Sequence, residues 1–173
     1  MAFPRVVGQI PLYYNHLNTG RPPAETGPAA TNKYRSKYLD VPFTPAYPFG
    51  YGLSYSKFEY SNAKVSAPQV NLGAKFSVSA DVANTGAYEA EEIVQFYTRQ
   101  LSGSVARPVR ELKGFEWIHL KPGEKRTVTF NLSTSDLAFY YDKMQLSAET
   151  EAFEAWIAPD SASGLKVSFR VVK

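Results

Sequence analysis

Acidic and histidine side chains are the first candidates for chemistry in this sequence. A general acid and a general base must converge on one reacting group, so two carboxyls have to point toward the same space. Glu91 and Glu92 are adjacent within a predicted strand and therefore point to opposite faces of the sheet. Glu111 and Glu116 differ by an odd number of strand positions and diverge in the same way. The sequence therefore predicts no catalytic residue within this chain.

Nucleophilic and metal chemistry have few candidates. The sequence holds no cysteine, which excludes disulfides, thiolate catalysis and zinc–thiolate sites. Of the histidines, His16 lies in a turn-rich stretch and His119 lies within a predicted strand, where a surface position is expected. Nothing in the sequence pairs them at a metal-binding spacing. We therefore expect neither a metal site nor a cofactor.

The densest cluster of aromatic and glycine residues spans residues 47–55, Tyr-Pro-Phe-Gly-Tyr-Gly-Leu-Ser-Tyr. Its glycines permit positive φ angles and allow another surface to lie close to the backbone. Its aromatic rings offer a large apolar area with phenol groups for hydrogen bonds. We expect this segment to dock between two domains through Phe49, Gly50, Tyr51, Gly52 and Tyr55.

Two other interpretations of residues 47–55 stay open at this point. The Gly50-x-Gly52 pair resembles the start of a phosphate-binding loop, although a third glycine and a following helix pattern are missing. The second interpretation is an ordinary strand that enters the core of the following β domain, because apolar segments are often simply core.

The composition indicates a folded protein. The 173 residues are 44% hydrophobic and 14% aromatic, which is enough for a packed core. The net charge of +3 is spread along the chain, with a local concentration only at Lys33, Arg35 and Lys37, so no nucleic-acid partner is expected. No apolar run of about 18 residues occurs, so no membrane partner is expected either. The first residues lack the apolar core of a signal peptide, so export would need a signal upstream of Met1.

The first 56 residues differ in character from the rest. They carry prolines at eight positions, which disfavours long helices and central strands. One short strand is predicted at residues 5–10, followed by turn residues and a linker. Because a lone strand is unstable, we expect this stretch to be supported by the chain's own β domain through residues 49–55, or by another chain.

The pattern of residues 57–173 predicts an antiparallel β sandwich. Residues 92–98 are apolar on both faces, which indicates a central strand. About seven strands separated by turns favour an all-β, fibronectin type III or immunoglobulin-like fold, and the missing cysteines favour the former. The other predicted strands are residues 75–82, 111–120, 126–132, 151–158 and 165–172, with a helical turn at 133–136 and a hairpin at 139–146.

Two groups of side chains could carry recognition. Four aromatic residues could stack on sugar rings, although on sandwich strands they are more often core or domain contacts. An exposed salt bridge between Arg107 or Arg110 and Glu111 would contribute only about 0–1 kcal/mol. We therefore expect Arg107 and Arg110 to reach a neighbouring domain. The four aromatic residues are Trp117, Trp156, Tyr140 and Tyr141.

Motifs along the chain resemble one known family. Residues 7–22 resemble the end of the second domain of family 3 glycoside hydrolases. Residues 38–42 and 47–55 resemble that family's linker into its C-terminal domain. Residues 107–115, Arg-Pro-Val-Arg-Glu-Leu-Lys-Gly-Phe, and residues 136–140 resemble signatures of its fibronectin type III-like domain. The motifs follow the family's order and cover nearly the whole chain.

The resemblance implies a division of the chain and a departure from the whole family pattern. Residues 1–22 would be the last strand and loop of an α/β sandwich domain, residues 23–56 a linker, and residues 57–173 the fibronectin type III-like domain. The family's Asp nucleophile and acid/base Glu match no position in this sequence. A smaller departure lies at residues 148–151, where the family usually has Pro-Gly.

The resemblance also implies a function. The chain would be a structural, stabilising domain of a retaining β-glucosidase, or β-xylosidase, that removes terminal β-linked sugar from oligosaccharides, and it would be inactive alone. Its partners would be the catalytic domains of that enzyme, with a homodimer contact as a further role and oligosaccharide contact only through the enzyme. A periplasmic or secreted bacterial location is favoured. The alternatives are an independent carbohydrate-binding module and a structural adhesion domain.

Overall fold

A computed structural model of the chain describes residues 1–9, 12–22, 34–36, 38, 40–141 and 143–173. A short 3₁₀ helix, Thr134–Leu137, lies between the sixth and seventh strands. None of the helical structure in the described ranges has the length and apolar character that crossing a bilayer requires. The strands in chain order are β1 (Phe58–Val65), β2 (Gln69–Asn71), β3 (Lys75–Asn84), β4 (Ala90–Gln100), β5 (Glu111–Leu120), β6 (Lys125–Ser133), β7 (Phe139–Tyr140), β8 (Leu146–Ser147), β9 (Ala152–Ala158) and β10 (Leu165–Val172).

The strands form two principal sheets. One sheet has the order β1-β3-β6, and the other has the order β2-β10-β9-β4-β5. The neighbouring strands pair antiparallel, except for β2, which runs parallel to β10. The short strands β7 and β8 pair as the predicted hairpin, with Asp142 outside the described residues. The predicted all-β sandwich is confirmed.

The core lies between the inner faces of the two sheets. Alternation along β3 places Phe76, Val78, Ala80 and Val82 in the core, as the sequence predicted. Aromatic rings join the sheets in the middle, and the Phe96 ring of β4 stacks on that of Phe130 of β6 with centroids 5.0 Å apart. Burial of this apolar area is the main stabilising contribution to the fold.

Strand β4 is central, as its two apolar faces predicted, and lies between β9 and β5. Its inner side chains, Val94 and Phe96, enter the core. Its outer side chains, Gln95 and Tyr97, are also buried, although the second sheet lies on the opposite side. Another part of the chain must therefore cover the outer face of β4.

Two predictions of local structure had different outcomes. The predicted helical turn is confirmed, and Ser133 at its start donates its backbone N–H to Asp136 Oδ2 at 2.7 Å. The strand predicted at residues 5–10 is wrong over residues 5–9, where Gln9 donates its N–H to the Val6 carbonyl in a turn. A strand needs a ladder of partners, and these residues have none in a described sheet. Ile10 lies outside the described residues.

A pair of phenylalanines on neighbouring strands tests where the core lies. Replacing Phe96 with Ala should lower the free energy of unfolding by about 3–5 kcal/mol, because it opens a cavity between the sheets. The control Phe115→Ala removes an exposed ring from β5 and should change stability by about 0.5 kcal/mol or less. Urea denaturation of both variants measures the difference. Equal losses would contradict this placement of the core.

Candidate docking site

The outer face of the five-stranded sheet carries a second apolar cluster, separate from the core. It consists of Tyr97 from β4 with Trp156 and Ala158 from β9, all of them buried. Tyr14 and Phe49, from the N-terminal part of the chain, pack against this cluster. The first part of the chain therefore folds back onto the sandwich and covers part of the sheet's outer face.

Aromatic rings make this contact. The rings of Tyr14 and Phe49 stack with centroids 4.4 Å apart, and Tyr14 meets Tyr97 edge-on at 5.9 Å. The hydroxyl of Tyr14 accepts the backbone N–H of Leu112 at 3.4 Å. Offset and edge-on aromatic pairs add about 0.5–1.5 kcal/mol each beyond their buried area. The N-terminal segment is thus supported by the chain's own β domain, which is one of the two expected supports.

The side-chain amide of Gln95 joins the two parts at the centre of this contact. Its Nε2 donates to the carbonyl oxygens of Gly50, at 3.0 Å, and Pro159. Its Oε1 accepts the hydroxyl of Tyr97. The carbonyl of Phe49 accepts the backbone N–H of Ser161 at 2.9 Å. These bonds hold the segment at residues 49–50 against the middle of β4 and the end of β9.

Gly50 fits this site for two reasons. Its φ angle of 82° lies in the left-handed region that glycine adopts without strain. A Cβ at this position would run into the amide of Gln95. The sequence indicated the first property, but the second depends on a side chain 45 residues away and is visible only in the structure.

The predicted docking segment divides into two halves. Residues 47–50 contact the described chain, and Tyr51 lies against Tyr47 with ring centroids 5.2 Å apart. Beyond them Gly52 is exposed, and Leu53 and Tyr55 are 91% and 96% exposed. This segment is neither a core strand nor a phosphate loop, because its β structure is limited to an isolated bridge between Tyr47 and Phe3, and a strand follows it, not a helix. Docking of the exposed half on a second domain stays a prediction.

The two predicted docking arginines lie against aromatic rings of this chain. Arg107 is buried, donates to Gln100 Oε1 at 2.6 Å, and lies 4.2 Å from the centre of the Phe139 ring. Arg110 lies 4.3 Å from the centre of the Trp156 ring and donates to the carbonyl of Ser163 at 2.9 Å. Both arginines therefore hold loops to the sandwich. Contact of either with another domain stays a prediction.

A polar network continues from Arg107 toward residues 148–151. Glu149 accepts from Gln100 Nε2 at 2.7 Å and from the hydroxyl and backbone N–H of Ser104. Burial works against the ionised form, but these hydrogen bonds outweigh it and lower the pKa of Glu149. A charged residue thus anchors the loop at the place where the sequence departs from the family pattern.

The candidate acids take up separate roles. Glu92 points inward and accepts the Tyr60 hydroxyl at 2.7 Å, and burial raises the pKa of Glu92. Glu91 points outward toward His119, whose Nε2 pairs with Glu89 at 2.5 Å. The predicted divergence of Glu91 and Glu92 is confirmed. Within the described ranges, His, Asp and Glu side chains form no group that could hold a metal ion.

The four aromatic residues considered for sugar stacking do not form one platform. Trp156 is buried beneath Arg110, and Tyr141 is half-buried. Tyr140 and Trp117 are exposed, but they belong to the β7–β8 hairpin and to the five-stranded sheet respectively. The sequence analysis did not identify Phe115 as a candidate. It lies two positions before Trp117 on β5, so the period of two would have placed both rings on the same exposed face.

Comparison with known proteins identifies the fold and its relatives. The family model for the fibronectin type III-like domain matches residues 92–161, which include Gln95, Arg107, Arg110 and Trp156. A periplasmic β-glucosidase of Salmonella typhimurium is 45% identical over 99% of this chain and 22% of its own length. The chain contains a fibronectin type III-like domain of the kind found in family 3 glycoside hydrolases.

Two further comparisons agree with this assignment. A putative β-xylosidase of Formosa agariphila is 39% identical over 100% of this chain and 21% of its own length. The crystal structure of a β-glucosidase from Listeria innocua in complex with gluconolactone superimposes with a TM-score of 0.90 at 38% identity, over 99% of this chain and 23% of that one. The fibronectin type III-like chain thus spans about a fifth of the length of the curated relatives it matches.

A pair of glycines tests the contact between Gly50 and Gln95. Both Gly50 and Gly73 have positive φ angles, 82° and 87°, so alanine carries a similar backbone penalty at each. A Cβ meets nothing within 4 Å at Gly73 but meets Gln95 at Gly50. Gly50→Ala should therefore lower the free energy of unfolding by about 1–3 kcal/mol more than Gly73→Ala. Equal losses in urea denaturation would rule out the contact.

The raised pKa of Glu92 predicts a pH-dependent gain in stability from Glu92→Gln. The folded state holds the Glu92 proton more tightly than the unfolded chain, so the wild type loses stability as pH rises through the folded-state pKa. Glutamine mimics the protonated carboxyl and still accepts the Tyr60 hydroxyl. The variant should be the more stable at neutral pH, and the gap should close below about pH 4, where glutamate is protonated in both states.

Urea midpoints across this pH range measure the gap between the variant and the wild type. Glu91→Gln, at the neighbouring outward position, is the matched control. A gap for Glu92→Gln that does not vary with pH would contradict the assignment.

Proposed function

We propose that this chain is a stabilising domain of a larger retaining β-glycosidase that removes terminal β-linked glucose, or xylose, from oligosaccharides. The names of its relatives, β-glucosidase and β-xylosidase, support the substrate class. The share of those relatives that it spans, about a fifth, supports its place within a longer enzyme. The name of the Salmonella relative supports a periplasmic location.

The observation that carries this proposal is the contact of the N-terminal segment with the outer face of the five-stranded sheet. Phe49, Gly50 and Tyr14 are held there by stacked rings and by the Gln95 amide. A segment fixed in this way transmits a defined position and orientation to whatever is joined to it, in contrast to a flexible linker. The exposed Leu53 and Tyr55 beside it offer apolar area for a further contact.

The reaction would take place on residues outside this chain. Retaining hydrolysis needs two carboxyls about 5–5.5 Å apart in a pocket. Three acids in the described part of the chain are committed to other contacts: Glu92 to Tyr60, Glu149 to Ser104, and Glu89 to His119. The role of this chain would be to brace the enzyme, and a homodimer contact is a further proposal.

A second candidate function is an independent carbohydrate-binding module. It is favoured by the exposed Phe115 and Trp117, which lie on one face of β5 and present flat apolar rings. Unlike the first proposal, it requires that the chain alone binds a glucan or xylan.

Expression of the chain and of the full reading frame that contains it tests the proposed function. The full protein should hydrolyse an aryl β-glucoside or β-xyloside, and residues 1–173 alone should not. Calorimetric titration of residues 1–173 with soluble β-glucan and xylan should give no heat of binding. Turnover by the isolated chain that is abolished by replacing one of its own carboxylates would contradict the proposal, and a saturating heat would favour the binding module.

A further inference from the structure

The outer face of the five-stranded sheet carries apolar side chains on both β4 and β5, but the rest of the chain covers only part of that width. The covered part carries Gln95, Tyr97 and Trp156, beneath the N-terminal segment and Arg110. The uncovered part carries Ile93 on β4 with Phe115 and Trp117 on β5. We refer to these three residues as the β5 face.

Strand register places the β5 face next to the covered part. Ile93 pairs directly with Trp117, and Gln95 pairs directly with Phe115, so all four side chains point to the same side of the sheet. Gln95 is already bound to Gly50 of the docked segment. The β5 face therefore continues the surface that the N-terminal segment covers, but the segment does not extend over it.

Phe115 is 65% exposed and Trp117 is 62% exposed, with Ile93 beside them. Such large exposed fractions of neighbouring apolar side chains are unusual for a surface whose only contact is solvent. Isolated apolar side chains are common on surfaces, but contiguous aromatic patches on rigid strands are typical of contact sites. Aromatic residues of this kind are enriched at the centres of protein interfaces, where they contribute most of the binding energy.

The charge at one end of the β5 face indicates the chemistry of the partner. Glu91 pairs with His119 at the next outward position along both strands, and Glu89 contacts the same imidazole. A second copy of this chain would bring carboxylates of the same sign to the interface, which is unfavourable. A surface with aliphatic or aromatic residues at its centre and lysine or arginine at its rim would complement the β5 face.

We propose that the β5 face docks against another domain of the parent enzyme, which supplies an apolar patch with a basic rim. This inference rests on the proposed function. Its support is the continuity with the docked N-terminal segment and the fact that the relatives are about five times longer than this chain. Together with the exposed residues 51–55, the β5 face would form the docking surface, to which it contributes Ile93, Phe115 and Trp117.

Hydroxyl-radical footprinting read by mass spectrometry tests this proposal directly. Oxidation of Trp117 and Phe115 is compared between residues 1–173 alone and the full reading frame. We expect roughly fivefold slower oxidation of both in the full protein, because interface centres exclude water. Tyr140, exposed on the separate β7–β8 hairpin, is the internal control and should oxidise at similar rates in both. Equal oxidation of Trp117 in the two proteins would overturn the proposal.

Two further outcomes would also overturn it. Protection of Trp117 in the isolated chain that grows with protein concentration would assign the face to a second copy. Protection that appears when a β-glucan oligosaccharide is added to the isolated chain would assign it to sugar binding.

Charge and shape variants provide a second readout. Trp117→Glu and Glu91→Lys should lower the melting temperature of the full protein by several degrees while leaving that of residues 1–173 unchanged. Tyr140→Glu and Glu59→Lys, at exposed positions away from the face, are the matched controls and should change neither. A variant of the β5 face that leaves the full protein as stable as its control contradicts docking there.

The aryl β-glycosidase assay of the same full protein separates the two proposals. Activity with an unprotected Trp117 would overturn docking through the β5 face and leave the proposed function standing. Protection of Trp117 without activity would support the docking and contradict the proposed function.

Discussion

The hydrogen bonds of the Gln95 amide connect the N-terminal part of the chain to the sandwich. Each unpaired polar group of a buried amide destabilises the folded state by about 1–3 kcal/mol. The buried Gln95 avoids this loss because the carbonyl oxygens of Gly50 and Pro159 accept hydrogen bonds from its Nε2. The Tyr97 hydroxyl satisfies its oxygen. Each partner therefore fixes the others, and the aromatic stack of Tyr14 and Phe49 closes over them. The position of Gly50 against the sheet therefore depends on this side chain.

Much of the sandwich could be predicted from the sequence because its strands alternate. In β3 and β10 every second residue is apolar, and burial of one face follows directly from that period. Two strands were not predicted: β2 is only three residues long, and the alternation of β1 is broken by a bulge near Asn62, whose φ angle is positive. Alternation shows which face is apolar, but it does not show which segment from elsewhere in the chain covers that face.

The candidate site was predicted only in part for the same reason. Phe49 and Gly50 are at the contact because their residue types suit close docking, and the sequence indicated this. The partners of that contact are long-range and could not be read locally, as with Gln95 beneath Gly50. The same holds for Arg107, whose guanidinium is enclosed by Gln100 and Phe139. The covered and uncovered parts of this outer face are the basis of the proposal that the domain braces a larger enzyme.

The contacts described above predict that the docked segment and the sandwich unfold as one cooperative unit. Native-state hydrogen exchange of three amides tests it most directly: Ser161, which donates to Phe49; Val109, which donates to His16; and Phe3, which donates to Tyr47. The account predicts that these amides open with nearly the same free energy as the core amide of Val82. Exchange of all three through a much smaller opening, while Val82 stays protected, would show that the segment is only loosely attached and would contradict the account.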